Sequence, residues 1–294
     1  MTNAKKIIMA NSPDQADLDR APVRELDAAC VRSETPCGDG RMVWRGWNSA
    51  GGNAPALVML HGGAGSWQHW VRNIPVFSKR FHVLAPDLPG LGESADPPAP
   101  ADMPTVAGVV AAGIDAVLGP QATYHIVGFS FGASVGGHLA LQHGARVRTL
   151  NLLGAGGLVK PNTPITLERV RGKTGDELRE THRTNLGCSM IADKSRIDAL
   201  ALAIQDWNAS RSRLNTPALI GLRPLAVSLP QLKIPVNAIW GERDQIAYYT
   251  LESRIAALRE LRPGIEPHVI PGAGHWAAYE AADAFNAVLA GFLK

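Results

Sequence analysis

The stretch VGFSFGASVGGH, residues 127–138, contains one five-residue pattern twice: G-x-S-x-G at residues 128–132 and again at residues 132–136. In this pattern a nucleophilic serine stands on a sharp turn between a strand and a helix, and the flanking glycines let neighbouring backbone approach closely. Ser130 directly follows an apolar run, whereas Ser134 comes one helical turn later among small residues. We therefore interpret Ser130 as the candidate nucleophile and Ser134 as a packing residue of the helix behind it.

Similar apolar runs recur along the chain and alternate with helical patterns. The runs are ALVML (56–60), FHVLAPD (81–87), YHIVGF (124–129), VRTLNLL (147–153), VNAIW (236–240) and PHVI (267–270). Short continuous runs of this kind are typical of strands buried on both faces of a parallel sheet. Helices are predicted at 103–119, with Asp102 as N-cap, and at 250–264 and 280–293. The alternation predicts a doubly wound α/β sheet.

The regular alternation is absent at two places, which suggests a division of the chain. Residues 1–22 are polar and patternless, and they predict a flexible N-terminal arm. LDAACVRS (26–33) and RMVWRGW (41–47) flank a Gly/Asp turn and predict a β-hairpin. Residues 156–232 are rich in arginine and helical where patterned, so they predict a helical cap over the carboxyl edge of the sheet. The core domain is then 23–155 together with 233–294.

The overall composition excludes several classes of protein. A net charge of +3 with scattered basic residues gives no nucleic-acid groove. The three cysteines, Cys30, Cys37 and Cys188, show no C-x-x-C or zinc spacing, and they are interpreted as free thiols of a reducing compartment. The apolar run after Lys6 is too short for a signal peptide, and no run is long enough to span a membrane. A cytoplasmic location without nucleic-acid or membrane partners is expected.

The loop LHGGAGSW, residues 60–67, follows the first buried strand and is rich in glycine. Backbone N–H groups in such a loop can point at an oxygen that gains negative charge. Gly63 is the preferred donor and Ala64 the alternative, while the second donor is the N–H of Phe131, the residue after the candidate nucleophile. Gly62 lies beside them in the loop.

A dinucleotide-binding loop is the rival interpretation of this stretch. Gly63-Ala-Gly65 follows a strand, but the third glycine of G-x-G-x-x-G falls on Gln68. A nucleotide-dependent dehydrogenase is therefore disfavoured.

Two loops near the end of the chain supply partners for a serine nucleophile, which needs a base and an orienting acid. Asp244 lies just past the strand VNAIW, and His275 lies past PHVI in a glycine-rich loop. Glu242 competes as the acid, although Asp244 lies further into its loop. The order Ser130, Asp244, His275 is the one expected for such a triad on an α/β sheet. His61 is interpreted as ordering its own loop.

Together, the segments HGGAGSW, DLPGLGES, GFSFGA, WGERD and GAGHW resemble the α/β-hydrolase superfamily in their order and spacing. The resemblance runs from about residue 54 to the C-terminus. It implies an α/β-hydrolase fold: a mostly parallel eight-stranded sheet with helices on both faces and an inserted helical cap. It also implies the triad Ser130–Asp244–His275, a small-molecule substrate and no cofactor or metal, and it allows a homo-oligomer. A serine nucleophile argues against epoxide hydrolase or haloalkane dehalogenase chemistry.

Within the superfamily, the segment GHWAAYEAADAFNAVLAGFL (274–293) resembles the meta-cleavage product hydrolases, which cleave carbon–carbon bonds of vinylogous diketo acids. In that group the tryptophan after the histidine touches substrate, and Trp276 matches it. Two positions differ: Phe129 stands where that group usually has asparagine, and Ala64 stands where its oxyanion loop has proline. Ester, lactone and carbon–carbon bond hydrolysis all stay open, as does a non-catalytic binding protein. The expected substrate pocket is completed by Gly62, Ala64, Phe129, Met190 and Trp207.

Overall fold

A computed structural model describes residues 19–160, 165–247 and 251–293, and over this part of the chain eight strands form one sheet. The strand order is β1-β2-β4-β3-β5-β6-β7-β8, in which β1, β2 and β4 pair antiparallel and all later neighbours pair parallel. The predicted, mostly parallel α/β sheet is confirmed. The strands are β1 (Val31–Cys37), β2 (Gly40–Trp47), β3 (Ala56–Leu60), β4 (His82–Pro86), β5 (Tyr124–Phe129), β6 (Val147–Leu153), β7 (Val236–Gly241) and β8 (His268–Ile270).

Helices connect the strands and cover both faces of the sheet. They are α1 (Ala21–Ala28), α2 (Ile74–Phe77), α3 (Met103–Leu118), α4 (Phe131–His143), α5 (Gly175–Ser189), α6 (Ala199–Ala209), α7 (Thr216–Gly221), α8 (Pro224–Ser228), α9 (Leu251–Leu261), α10 (Ala277–Glu280) and α11 (Ala282–Phe292). The predicted N-cap of α3 is confirmed, because Asp102 accepts the N–H of Thr105 at 2.9 Å.

The central strands divide their side chains between two apolar cores because successive residues of a strand point to opposite faces. Val58 and Leu60 of β3 belong to one core, together with residues of α3 and α4. Leu57 and Met59 belong to the other, together with α11 and the residues after β3. Both faces of β3 are buried, and the strand is apolar along its whole length, as its run predicted.

The N-terminal prediction needs two corrections. Residues 1–18 of the predicted arm lie outside the described residues, but residues 19–22 do not form an arm. Asp19 pairs with Arg179 at 3.1 Å with 6% of its side chain exposed, and Ala21 begins α1. The segment 26–33 is not the first strand of the hairpin, because residues 26–28 end α1 and the strand runs from Val31 to Cys37. Pro22 in the first turn favours the helix, and Trp47 Nε1 donates to the Leu26 carbonyl at 2.8 Å.

The segment predicted as a cap, residues 156–232, carries α5 to α8 between β6 and β7. Within this segment, α6 begins after Asp198, whose side chain accepts the N–H of Ala201 at 2.9 Å as an N-cap. That this segment is a separate subdomain stays a prediction.

Candidate active site

Ser130 lies at the junction of β5 and α4, with φ +52° and ψ −107°. Its N–H donates to the Leu153 carbonyl at 2.8 Å, which fixes the turn against the end of β6. The flanking glycines are required by space: a Cβ at Gly132 would lie 2.3 Å from the Leu60 carbonyl oxygen, and one at Gly128 would lie 2.4 Å from the Gly132 oxygen. A non-glycine residue at such angles is strained and persists where its surroundings hold it, which is common at functional sites.

Ser134 lies inside α4 and is fully buried. Its hydroxyl donates to the Gly156 carbonyl at 2.9 Å. The second copy of the five-residue pattern therefore packs the helix against the loop after β6.

Asp244 and His275 form a buried pair at the ends of β7 and β8. Nδ1 of His275 lies 2.8 Å from Asp244 Oδ2, and the two side chains are 2% and 1% exposed. The second carboxylate oxygen of Asp244 accepts the N–H groups of Ile246 and Ala247 at 3.0 Å each. A carboxylate can only accept, so Nδ1 carries the proton and Nε2 keeps its lone pair.

Glu242, the competing acid, lies elsewhere in the same loop. Its side chain is exposed, and Oε2 accepts the N–H of Gly272 at 2.8 Å. This contact connects the loops after β7 and β8. The carboxylate that contacts His275 is that of Asp244.

The loop after β6 joins the Asp244–His275 pair to Ser130. A Cβ at Gly154 would lie 3.0 Å from Nδ1 of His275. Gly154 directly follows Leu153, which accepts the N–H of Ser130. The rings of Phe129 and His275 are 4.9 Å apart between centroids. The structure thus places the three candidate triad residues after the carboxyl ends of β5, β7 and β8, with the loop after β6 between them.

The candidate oxyanion donors come from the loop after β3 and from the start of α4. A Cβ at Gly63 would lie 3.6 Å from Phe131 Cβ, so the two residues are close. Phe131 is the first residue of α4, where N–H groups have no partner within the helix. Ala64 is exposed with φ +46°, and Gly62 donates its N–H to Nδ1 of His69 at 3.3 Å.

Two buried histidines, His61 and His69, contact the backbone of the loop after β3. His61 accepts the N–H of Leu88 at Nε2, 2.8 Å away, and its Nδ1 lies 2.8 Å from the Gly62 carbonyl. Complete burial lowers the pKa of His61 to about 4. Burial, followed by the repulsion that protonated His61 and His275 would exert, holds the pKa of His69 well below its usual range.

Phe129 and Trp276, two expected pocket residues, are each 1% exposed and pack beside the pair. The ring of Phe129 is 5.4 Å from that of His69. Trp276 stacks on Tyr279 at 4.2 Å and donates Nε1–H to the His69 carbonyl at 2.9 Å. The Phe129 ring thus lies beside His275, whereas the Trp276 ring contacts His69 and Tyr279.

The two residues expected from the predicted cap have different surroundings. Met190 lies beside the candidate site, where its carbonyl accepts the N–H of Trp276 at 2.7 Å. Trp207 instead lines a cavity of about 620 Å³, between Arg20 and Arg211, whose lining contains none of the candidate triad residues. That Trp207 contacts substrate stays a prediction.

Sequence reasoning missed Glu280, a buried carboxylate near His275. It accepts the N–H groups of Gly274 at 2.7 Å, Asp193 at 2.7 Å and Ala192 at 3.1 Å. The only signal in the sequence is an acidic residue five positions after His275, which does not reveal these distant contacts.

Within the described ranges, no group of three or more His, Cys, Asp or Glu side chains is arranged to hold a metal ion. A search of the same residues finds no helix long and apolar enough to cross a membrane.

Comparisons with known proteins identify the family and relatives of the chain. The model of the alpha/beta hydrolase family matches residues 57–288. The chain is 29% identical over 258 residues to a 2-hydroxy-6-oxo-6-phenylhexa-2,4-dienoate hydrolase of Burkholderia cepacia, covering 82% of this chain and 88% of that protein. Among solved structures, the meta-cleavage product hydrolase from Pseudomonas fluorescens IP01 has a TM-score of 0.70 at 23% identity, over 89% of this chain and 97% of that one. The enol-lactonase from Burkholderia xenovorans LB400 also has a TM-score of 0.70, at 22% identity, over 89% of this chain and 99% of that one. These structural similarities reflect a shared fold.

Proposed function

Because the chain belongs to the α/β hydrolase family, we propose that it is a serine hydrolase whose triad is Ser130, His275 and Asp244. The observation that carries the proposal is the buried Nδ1–Oδ2 contact of 2.8 Å between His275 and Asp244, beside the strained turn that presents Ser130. A serine hydroxyl is a weak nucleophile until an adjacent base removes its proton.

The proposed reaction begins when Ser130 Oγ attacks a substrate carbonyl and passes its proton to Nε2 of His275. Asp244 fixes the ring in the Nδ1–H form and stabilises the imidazolium that results. The N–H groups of Gly63 and Phe131 bind the oxyanion. His275 returns the proton to the leaving group, and the acyl-enzyme is then hydrolysed by a water molecule that His275 activates.

The proposed substrate is a small ester, lactone or vinylogous diketo acid. The relative from Burkholderia cepacia supports the last class by its name, and the enol-lactonase supports the second as a solved structure of the same fold. The Phe129 ring offers no hydrogen bond to a polar end of the substrate. A turnover screen with p-nitrophenyl acetate, simple lactones and a ring-fission dienoate distinguishes the three classes.

A fluorophosphonate probe tests the proposed nucleophile. Labelling is expected in the wild type and in Ser134→Ala, and it is expected to disappear in Ser130→Ala. Ser134 is the matched control because it lies in the same motif but donates to the Gly156 carbonyl. Labelling that survives the loss of Ser130 would refute the proposal. A wild-type protein that is neither labelled nor active would support a non-catalytic binding protein on the same fold.

A further inference from the structure

The segment 214–221, which includes α7, crosses the carboxyl edge of the sheet above Ser130. The strands β4, β3, β5 and β6 lie side by side in that order. The loops after β4, β3 and β6 each carry a glycine beside which this segment packs. A Cβ would lie 2.9 Å from Leu214 Cβ at Gly90, 2.5 Å from Thr216 Oγ1 at Gly63, and 3.0 Å from Ile220 Cδ1 at Gly156. Since Ser130 follows β5, between β3 and β6, the segment passes over it.

Thr216 is the polar side chain of this segment closest to the candidate oxyanion loop. The point 2.5 Å from its hydroxyl, where a Cβ of Gly63 would lie, is 3.6 Å from Phe131 Cβ. The hydroxyl oxygen therefore lies near the two residues whose N–H groups are the proposed oxyanion donors.

The Thr216 hydroxyl is not engaged by another side chain or backbone group among the described residues. The residue is 5% exposed, yet its Oγ1 makes no hydrogen bond to any residue that the structure describes. Among the described residues, Thr216 Oγ1 is not one of the side-chain polar atoms that are both unpaired and inaccessible to solvent. The oxygen atom therefore keeps some solvent-accessible surface. A hydroxyl that is accessible and not paired within the protein is free to donate to a bound substrate.

We propose that Thr216 supplies a third hydrogen bond to the oxyanion, from outside the strand-end loops that supply the two N–H donors. The proposal rests on the proposed serine hydrolase function. The Thr216 O–H donates to the carbonyl oxygen as its negative charge grows, next to the N–H groups of Gly63 and Phe131. A donor of this kind acts mainly in the transition state, so its loss lowers kcat and leaves KM nearly unchanged.

The nearly isosteric variant Thr216→Val removes the hydroxyl and keeps the packing against Gly63. With p-nitrophenyl acetate, kcat is expected to fall by about 10- to 100-fold, and the rate of fluorophosphonate labelling should fall by a similar factor. Thr216→Ser should restore most of both rates because it restores the hydroxyl. The midpoint of thermal unfolding should stay constant or rise in Thr216→Val, because the removed hydroxyl has no partner in the folded protein.

Thr123→Val is the matched control. Thr123 lies just before the opposite end of β5, is exposed and accepts Nε–H of Arg148 at 3.2 Å, so its loss should leave both rates unchanged. If Thr216→Val keeps the wild-type kcat and labelling rate, or changes only KM, the inference about Thr216 is overturned and the proposed function still stands. A wild-type protein without turnover or labelling would overturn the proposed function and this inference with it.

Discussion

At the scale of single residues, the Asp244 carboxylate divides its two oxygens between its own loop and His275. Oδ1 accepts two backbone N–H groups, and Oδ2 accepts Nδ1–H of the imidazole. The first set of contacts fixes the carboxylate, and the second fixes the ring tautomer. Glu242, only two residues earlier, lacks both roles because it is exposed and accepts the N–H of Gly272.

Asp244→Asn and Glu242→Gln test this division as a matched pair, since each exchanges a carboxylate for an amide. In the first variant the new amide can present an N–H to Nδ1 of His275 and favour the wrong tautomer, so kcat should fall by about 10⁴-fold. Glu242→Gln should stay within about threefold of the wild type because the amide oxygen can still accept the N–H of Gly272. Initial rates with p-nitrophenyl acetate measure both variants, and the reverse ranking would reassign the acid.

At the scale of elements, Glu280 joins α10 to two loops that are distant in sequence. One oxygen accepts the N–H groups of Gly274 and Ala192, and the other accepts that of Asp193. The N–H of Trp276 adds a parallel contact to the Met190 carbonyl. The loop that carries His275 is thereby attached to the connection between α5 and α6.

Glu280→Gln should loosen this attachment, because one carboxylate oxygen is exchanged for an NH₂ group that cannot accept a hydrogen bond. Loss of one or two charge-assisted bonds to buried N–H groups should cost about 1–3 kcal/mol of unfolding free energy. We also expect kcat to fall by about tenfold, since His275 would be less well positioned. Urea unfolding and ester turnover give the two values.

Glu266→Gln is the control for this prediction. Glu266 is 76% exposed and pairs with Arg259 at the surface, so its neutralisation should change neither quantity measurably. Equal effects in the two variants would contradict the attachment role of Glu280.

The sequence predicted the elements well where the signal is local. The apolar runs and the Asp102 cap depend on neighbouring residues, and the structure confirms the strands and helix that they predicted. The start of the hairpin was wrong because α1 is held partly by a distant contact, that of Trp47 with Leu26. Whether Trp207 belongs to the substrate pocket stays a prediction, because an aromatic residue at helical spacing does not reveal which side of the helix meets the active site.

The same distinction applies within the candidate site. Ser130 and His275 were found because their motifs combine with a fixed position after a strand. Glu280 and Thr216 were missed because their roles depend on contacts with Ala192 and Gly63 that are far away in sequence. Such contacts become visible only when the loops meet at the sheet edge.

At the scale of the whole molecule, buried ionisable groups on the strand-end loops couple folding to pH in opposite directions. Burial lowers the pKa of His61 to about 4 and also lowers that of His69. Below about pH 6.5 the unfolded chain takes up protons at these two positions before the folded one does, so acid reduces stability. Burial instead raises the pKa of Asp87 to about 6, and this group favours the folded state as the pH falls from about 6 to 4.

His61→Gln isolates one of these contributions. The Gln amide oxygen can replace Nε2 as acceptor for the Leu88 N–H, but it does not bind a proton in this pH range. In the wild type, a folded-state pKa of about 4 against 6.5 unfolded removes about 3 kcal/mol of unfolding free energy between pH 7 and pH 4. The unfolding free energy of the wild type minus that of the variant should therefore fall by about 3 kcal/mol as the pH is lowered from 7 to 4. Urea unfolding followed by tryptophan fluorescence measures it, and because His69 and Asp87 are unchanged in the variant, parallel pH curves would show that His61 is not the group responsible.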